Sequence, residues 1–265
     1  MFKTAVPRRP PDTAMVAPEV TLTHLNRADG SATYTHNGYS VIGAVNGPIE
    51  VQRRDELPEE ATIEVNVRPA IGVGSPRERH LETLLHSTLR SIILARQMPR
   101  SLVQLTLQVR SLPDQEASTG VNSMLTLLPH LLHTSLLALI SASIPLSTTL
   151  AALVVAIPSA SEPLVSPTAT QLMRAAPIKS VHVFAFSRNR RLLLNESEGA
   201  FTHEEWDEAC EMAEDVCCGE EDGGGVRLGD AMDVDGEEGR ENLEKWLRAV
   251  VRAKVEREQR WKKGP

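Results

Sequence analysis

The sequence predicts an α+β fold, on three observations. Segments alternating apolar and polar residues recur along the first 195 residues, two segments keep helical apolar spacing, and one short run is apolar on both faces. Strands in bulk with a few packed helices are the simplest arrangement of such a pattern.

The elements follow in order. VTLTHL (20–25) and SATYTH (31–36) flank the turn signal Asp29-Gly30, and YSVIGAVN (39–46) and ATIEVNV (61–67) alternate in the same way, so the opening third reads as a β meander. The spacing of Leu81, Leu84, Leu85, Leu89, Ile92 and Ile93 predicts an amphipathic helix, with Ser75 as N-cap, Pro76 in the first turn, Glu78 three residues after the cap and an end before Pro99. SLVQLTLQVR (101–110) alternates as a strand, and a polar loop at 112–123 leads to a second helix over 131–143, apolar almost all round and therefore central. TLAALVVAI (149–157) reads as a strand buried on both faces, VHVFAF (181–186) and RLLLN (191–195) as further strands. Thr202 caps a helix over HEEWDEACEMAEDV, whose first-turn Glu204 and Glu205 complement the helix dipole.

These segments divide the chain into a flexible arm (1–18), a folded domain (19–218), an acidic Gly-rich linker (219–239) expected to be disordered, and a C-terminal helix (240–265). On that last helix Leu243, Trp246, Leu247, Val250, Val251 and Val255 share one face, which predicts docking on its own domain or on a neighbour.

Charge is unevenly distributed. Residues 1–195 carry 18 Lys and Arg against 14 Asp and Glu, whereas residues 196–265 carry 10 against 21, so the first part tolerates a phosphate backbone and the second repels one. All three cysteines, Cys210, Cys217 and Cys218, lie within nine residues, which excludes a disulfide framework and fits a reducing compartment. Residues 117–161 contain no Asp, Glu, Lys or Arg, but Pro129, Pro145, His130 and His133 interrupt them, so they read as core rather than as a membrane span.

Few constellations carry chemistry. There is no GxxxxGK[ST] loop and no strand followed by GxGxxG, so no nucleotide-triphosphate site is expected. His130 and His133 sit three residues apart, yet no carboxylate or Cys beside them completes a metal set, and they read as satisfied core histidines. The acids at 230–238 lack the ligand order of a calcium loop. Arginine stands out: 16 Arg against 2 Lys before residue 195, with Arg53 and Arg54 in a turn, Arg77 and Arg79 at a helix start, and Arg100 and Arg110 bracketing a strand. Guanidinium forks suit phosphate or carboxylate. The neighbouring Asp55, Glu56, Glu59, Glu60 and Glu78 leave both readings open, phosphate recognition and plain surface pairing.

Several segments taken together resemble the ribonuclease PH family, and within it the ring subunits of the eukaryotic RNA exosome: ADGSA (28–32), NGPIE (46–50), the RRDELP turn, VRPAIGV (67–73), RERHLE (77–82), MPRSLVQLTLQV (98–109), the IP after the apolar helix and SPTATQL. Their order and spacing span residues 20–215. The resemblance implies an RNase PH-like fold (ribosomal protein S5 domain 2-like) with a mixed sheet, assembled as a six-membered ring around a channel for single-stranded RNA. It implies as partners the other ring subunits, S1/KH cap subunits and an associated nuclease, with a place in nucleus, nucleolus and cytoplasm and work in rRNA processing and RNA degradation.

Active relatives split RNA with phosphate, using arginines for phosphate and carboxylates for a metal or a proton. This chain departs from that pattern. Ser87 stands where the resemblance places a phosphate-site Arg, no Asp or Glu occurs over 163–195, and Ser166 stands where related subunits often carry Asp. The loop 113–122 lacks the phosphate-turn Arg, with Ser118, Thr119 and Gly120 only a weak mimic. The expectation is a non-catalytic ring subunit with no metal, no cofactor and no catalytic residue, and with Arg53, Arg54, Arg77 and Arg79 as RNA-binding candidates. Two alternatives stay open: a nuclease using Glu50, Asp55 or Glu56, and a purely structural ring member. The acidic linker is expected to compete with RNA or to attach a basic partner.

Overall fold

A computed structural model describes residues 18–113, 120–159, 161–219 and 242–263. The N-terminal arm up to residue 17, Ser118 and Thr119, and the acidic linker beyond Gly219 lie outside the described residues. Two sheets form the frame. The first has the order β1(Glu19–Leu22), β2(Gly30–His36), β3(Tyr39–Glu50), β5(Ser101–Ser111), β4(Thr62–Arg68). The second has the order β7(Leu164–Val165), β6(Leu150–Pro158), β8(Ile178–Ser187), β9(Leu192–Gly199).

The meander expected over the opening third holds only for β1, β2 and β3. β5 inserts between β3 and β4, antiparallel to the first and parallel to the second, which makes the sheet mixed. The reason is the helix between them: α1(Pro76–Ile92) packs on β4 and carries the chain back, and a helical crossover of this kind joins parallel strands. Its capping box forms as the sequence implies, with the Ser75 side chain accepting from the backbone and Glu78 accepting from Ser75 N at 2.6 Å.

Pro129 does not end the second helix. α2(Ser123–Ser141) starts eight residues before the expected 131 and runs through Pro129, with Asn122 as N-cap. Burial overrides the cost of an internal proline, about 3 kcal/mol, because the helix is enclosed from Leu125 to Leu139. His130 Nδ1 meets the Thr126 carbonyl at 2.9 Å, occupying an acceptor in the turn that the proline disturbs. α2 is long and apolar enough to cross a membrane, but it contacts β2 and β3 of one sheet and β6 and β8 of the other, and is the central layer of the fold.

β6 is buried at every residue because α2 and the pair α4(His203–Cys218) and α5(Leu243–Glu258) both pack on it. The short helix α3(Ala169–Ala175) is an element the apolar spacing did not indicate; its signal is the capping box Thr168 with Gln171. Cys217 is buried and Cys210 and Cys218 half-buried on α4, with burial raising all three thiols, Cys218 to about 11. The C-terminal helix docks on its own domain. Leu243, Trp246 and Leu247 join the main core, Val250 and Val251 flank it, and Val255 stays exposed. The Asn242 side chain, at the start of α5, donates to the Cys218 carbonyl at the end of α4 at 2.5 Å.

Candidate nucleic-acid interface

The charged turn between β3 and β4 is built by two motif residues far from it. The Asp29 carboxylate accepts the Gly47 N–H at 2.8 Å, tying the turn between β1 and β2 to the point where β3 bends. Gly47 has φ 151°, and a Cβ there would lie 2.9 Å from the Leu102 carbonyl oxygen, so the strand can pass β5 at this point only with glycine. Beyond the bend Ile49 pairs with Leu102 and Glu50 with Ser101, and the chain turns out to solvent. Asp55 N–H bonds the Gln52 carbonyl at 2.8 Å, and Thr62 Oγ1 donates to the Asp55 carbonyl at 2.8 Å, closing the turn that presents Arg53 and Arg54.

Pairing within this turn is partial. Arg54 reaches Asp55 at 3.4 Å while 85% exposed, a pair of little energetic weight, and Arg53 makes no ion pair among the described residues. Arg100, at φ 58°, approaches Glu56 at 3.5 Å, and Arg90 from the end of α1 meets Glu60 at 2.6 Å. Ala61 N–H bonds the Ala95 carbonyl at 2.9 Å, which sets the exposed Arg96 of the 3-10 turn Ala95–Gln97 beside this surface. Arg90 and Arg96 were not legible as members, since only the crossover of α1 brings its C-terminal end back to the turn.

Arg77 and Arg79 belong elsewhere. They sit at the first turn of α1, and Arg90 lies thirteen residues further along the same helix, about 20 Å away at 1.5 Å per residue. Arg79 pairs with Glu82 at 3.2 Å, and Glu82 is itself fixed by the Val67 N–H at 2.9 Å. Arg77 lines a cavity of about 110 Å³ with Pro69, Leu81, Leu112 and Met124. The four candidate arginines therefore form two separate surfaces.

The serines singled out by the family resemblance make hydrogen bonds within the fold. Ser87 Oγ donates to the Leu84 carbonyl of its own helix at 2.8 Å. Ser166, at φ 48°, bonds its N–H to the Val154 carbonyl at 2.7 Å and accepts Asn37 Nδ2 at 3.1 Å, joining the two sheets. Glu198 accepts Asn122 Nδ2 at 2.8 Å, outside the interval 163–195 and coupled to the cap of α2. Glu50, Asp55 and Glu56 are spread along the solvent turn. Among the described residues no group of three or more His, Cys, Asp or Glu is arranged to hold a metal ion.

The core histidines are only half satisfied, unlike the expectation. His133 Nε2 accepts the Ala152 N–H at 2.9 Å, where β6 has run past the end of its short neighbour β7; its proton therefore sits on Nδ1, buried without a partner. His130 Nδ1 donates to Thr126, leaving Nε2 buried and unpaired. Burial, then the nearby His36, pushes both rings down to about 3.

Comparison with known proteins places this geometry. Residues 17–145 match the RNase_PH family, described as 3' exoribonuclease family, domain 1. Over 200 residues the chain is 33% identical to exosome complex component RRP46 of Saccharomyces cerevisiae, covering 73% of this chain and 86% of that protein. The chain belongs to the RNase PH family. The structure of rice (Oryza sativa) Rrp46 superposes with a TM-score of 0.65 at 27% identity, covering 77% of this chain and 89% of that one. The Archaeoglobus fulgidus exosome with RNA bound to the active site shares the fold alone, with a TM-score of 0.56 at 14% identity over 76% of this chain and 85% of that one. The resemblance of the DGSA, GPIE, ELP, VRPA and SPTATQL segments to ribosomal RNA-processing protein 46 agrees with the yeast and rice matches.

Proposed function

We propose that this chain is a non-catalytic ring subunit of an exosome core, which lines the RNA path and supports 3'-to-5' processing and degradation by an associated nuclease. The ring membership rests on its likeness to RRP46 over most of both chains. The RNA role rests on one observation: Arg53 and Arg54 are held on a closed, solvent-facing turn, with Arg53 unpaired among the described residues and Arg54 weakly paired. The absence of chemistry rests on Ser87 and Ser166, neutral side chains at the phosphate and carboxylate positions of the family resemblance. A neutral serine neither holds Mg²⁺ nor shuttles a proton at neutral pH. Partners are the other ring subunits, S1/KH cap subunits, a nuclease and single-stranded RNA; the places of work are nucleus, nucleolus and cytoplasm.

The test uses the assembled ring. Arg53→Glu with Arg54→Glu lowers RNA affinity, most at low salt, and flattens the plot of log K against log salt by about 0.7 for each lost phosphate contact. Equal affinity of wild type and variant throughout a salt series would sink the assignment. For the chemistry, the purified chain incubated with an RNA oligomer, Mg²⁺ and phosphate releases no nucleoside diphosphate; multiple-turnover release would establish the enzyme instead. The pairs Arg90–Glu60 and Arg100–Glu56 favour a second reading, a structural ring member without RNA contact. RNA crosslinking to the complex with no adduct on this chain would decide for it.

A further inference from the structure

The C-terminal helix has a docked face and a free one, and the free one is strongly basic. Leu243, Trp246 and Leu247 hold α5 on the core, and Lys254, 11% exposed at its side chain, donates to Thr23 Oγ1 and to Ser141 Oγ at 3.1 Å, so the helix is fixed at both ends. Residues 242–262 contain seven Lys and Arg against three Glu, so the acidity that makes residues 196–265 as a whole repel phosphate lies almost entirely outside this helix. Lys245, Arg248 and Arg252, at positions i, i+3 and i+7, run along the solvent side, and Arg257, Arg260 and Lys262 continue the exposed charge past the helix end. Of these only Arg248 has an ion-pair partner among the described residues, Glu244 at 3.7 Å, and Glu244 is already engaged by Thr149 Oγ1 at 2.8 Å. Trp261, in the 3-10 turn Arg260–Lys263, is 76% exposed with Lys262 Nζ 5.5 Å from its ring centre.

Two ordinary explanations fall short. Cations at the end of a helix complement its dipole, which accounts for Arg257 but not for Lys245, which sits in the first turn where a cation opposes the dipole. A membrane-surface helix presents a broad apolar face to lipid; here that face is spent on the core, and only Val255 and Trp261 remain exposed among the large apolar side chains of the helix and its end.

We propose that the outer face of α5, with Lys245, Arg248 and Arg252, and the turn bearing Trp261 form a second surface for single-stranded RNA, in which the cations take phosphates and the indole stacks on a base. A cationic track ending at a freely accessible aromatic is what sequence-tolerant binding of a single strand requires, because every base offers a face for stacking. A double helix offers no splayed base to Trp261, and the track of cations leading to the ring matches the regular phosphate spacing of a single strand. This surface depends on the RNA reading above only for the choice of polyanion, and it involves none of the residues of the Arg53–Arg54 turn.

The experiment measures a fluorescein-labelled single-stranded RNA dodecamer binding to the full chain in its ring. Trp261→Ala weakens binding about tenfold, within the range for one stacked base. The double reversal Lys245→Glu with Arg252→Glu weakens it and flattens its salt dependence, while thermal unfolding of the variant matches wild type because both side chains face solvent, away from the Arg248–Glu244 pair. Ultraviolet crosslinking places an RNA adduct on residues 257–262. If the α5 variants bind as wild type while Arg53→Glu with Arg54→Glu does not, this surface is refuted and the ring-channel reading stands; the reverse pattern refutes the channel reading alone. Inorganic polyphosphate competing as well as unlabelled RNA, with Trp261→Ala without effect, overturns the proposal in favour of a general anion surface. Tighter binding of poly-glutamate than of RNA overturns it in favour of an acidic protein partner.

Discussion

Gly30→Ala destabilises the protein by about 3 kcal/mol, the upper part of the range for an overpacked core. Gly30 opens β2 directly beneath the C-terminal turn of α2, and a Cβ built on it lies 2.2 Å from Ala142 N and 2.6 Å from the Ala138 carbonyl oxygen. Both are backbone atoms, so no rotamer change relieves the contact. The helix end or the strand has to move, and α2 packs against both sheets. Ala142 N–H itself bonds the Ala138 carbonyl at 3.0 Å, so the displaced group is the last turn of the central helix. The matched control is Gly74→Ala, where no heavy atom lies within 4 Å and φ is not in the left-handed region; its effect stays within about 0.5 kcal/mol. Denaturant melts of the two variants provide the measurement. A loss below 1 kcal/mol for Gly30→Ala would show that α2 yields at its end and that the motif glycine is not a packing requirement.

Acidification produces the second large effect. His130 and His133 titrate near 3 in the folded chain because burial, and then His36, disfavour their charged forms, whereas unfolded histidine titrates near its ordinary value of about 6.5. Between these values the unfolded state binds more protons than the folded one. The depressed folded values therefore give stability that is fully present above about pH 6.5 and is lost as pH falls toward 3. Two such groups remove about 3 kcal/mol between pH 7.5 and 5.5, since each contributes about 1.4 kcal/mol per pH unit below 6.5. Urea midpoints of the wild type at the two pH values show the loss, and His130→Leu with His133→Gln removes most of it. An unchanged midpoint in the wild type would mean that both rings reach solvent in the folded state, and half the loss that one of them does.

Much of the fold was legible because its determinants are local. The capping residues Ser75 and Thr202 act within four residues, and the apolar spacing of α1 and α4 fixes their buried faces without reference to anything distant. The start of α2 was missed because Pro129 is a strong local breaker, and only enclosure between two sheets outweighs it. The place of β4 was missed for a related reason: alternation identifies a strand but not its neighbour, and β5 reaches that neighbour only after the chain has passed through α1.

The candidate site divides in the same way. Arg53 and Arg54 could be read from the sequence because two arginines in a charged turn between strands have nowhere apolar to go. Arg77 and Arg79 lie at the opposite end of α1 from Arg90, the helix residue that pairs with Glu60 beside the turn, a separation that helical spacing alone does not relate to the turn. Sequence by itself determined the family, the turn, the capped helices and the neutral residues at 87 and 166. Tertiary structure alone decided that Asp29 holds Gly47, that Ala95 after α1 bonds Ala61 before β4, and that α5 spends its apolar face on its own core and leaves the basic one free. Local propensities act through bonds between near neighbours, whereas these contacts form between segments whose meeting depends on the packing of the whole chain.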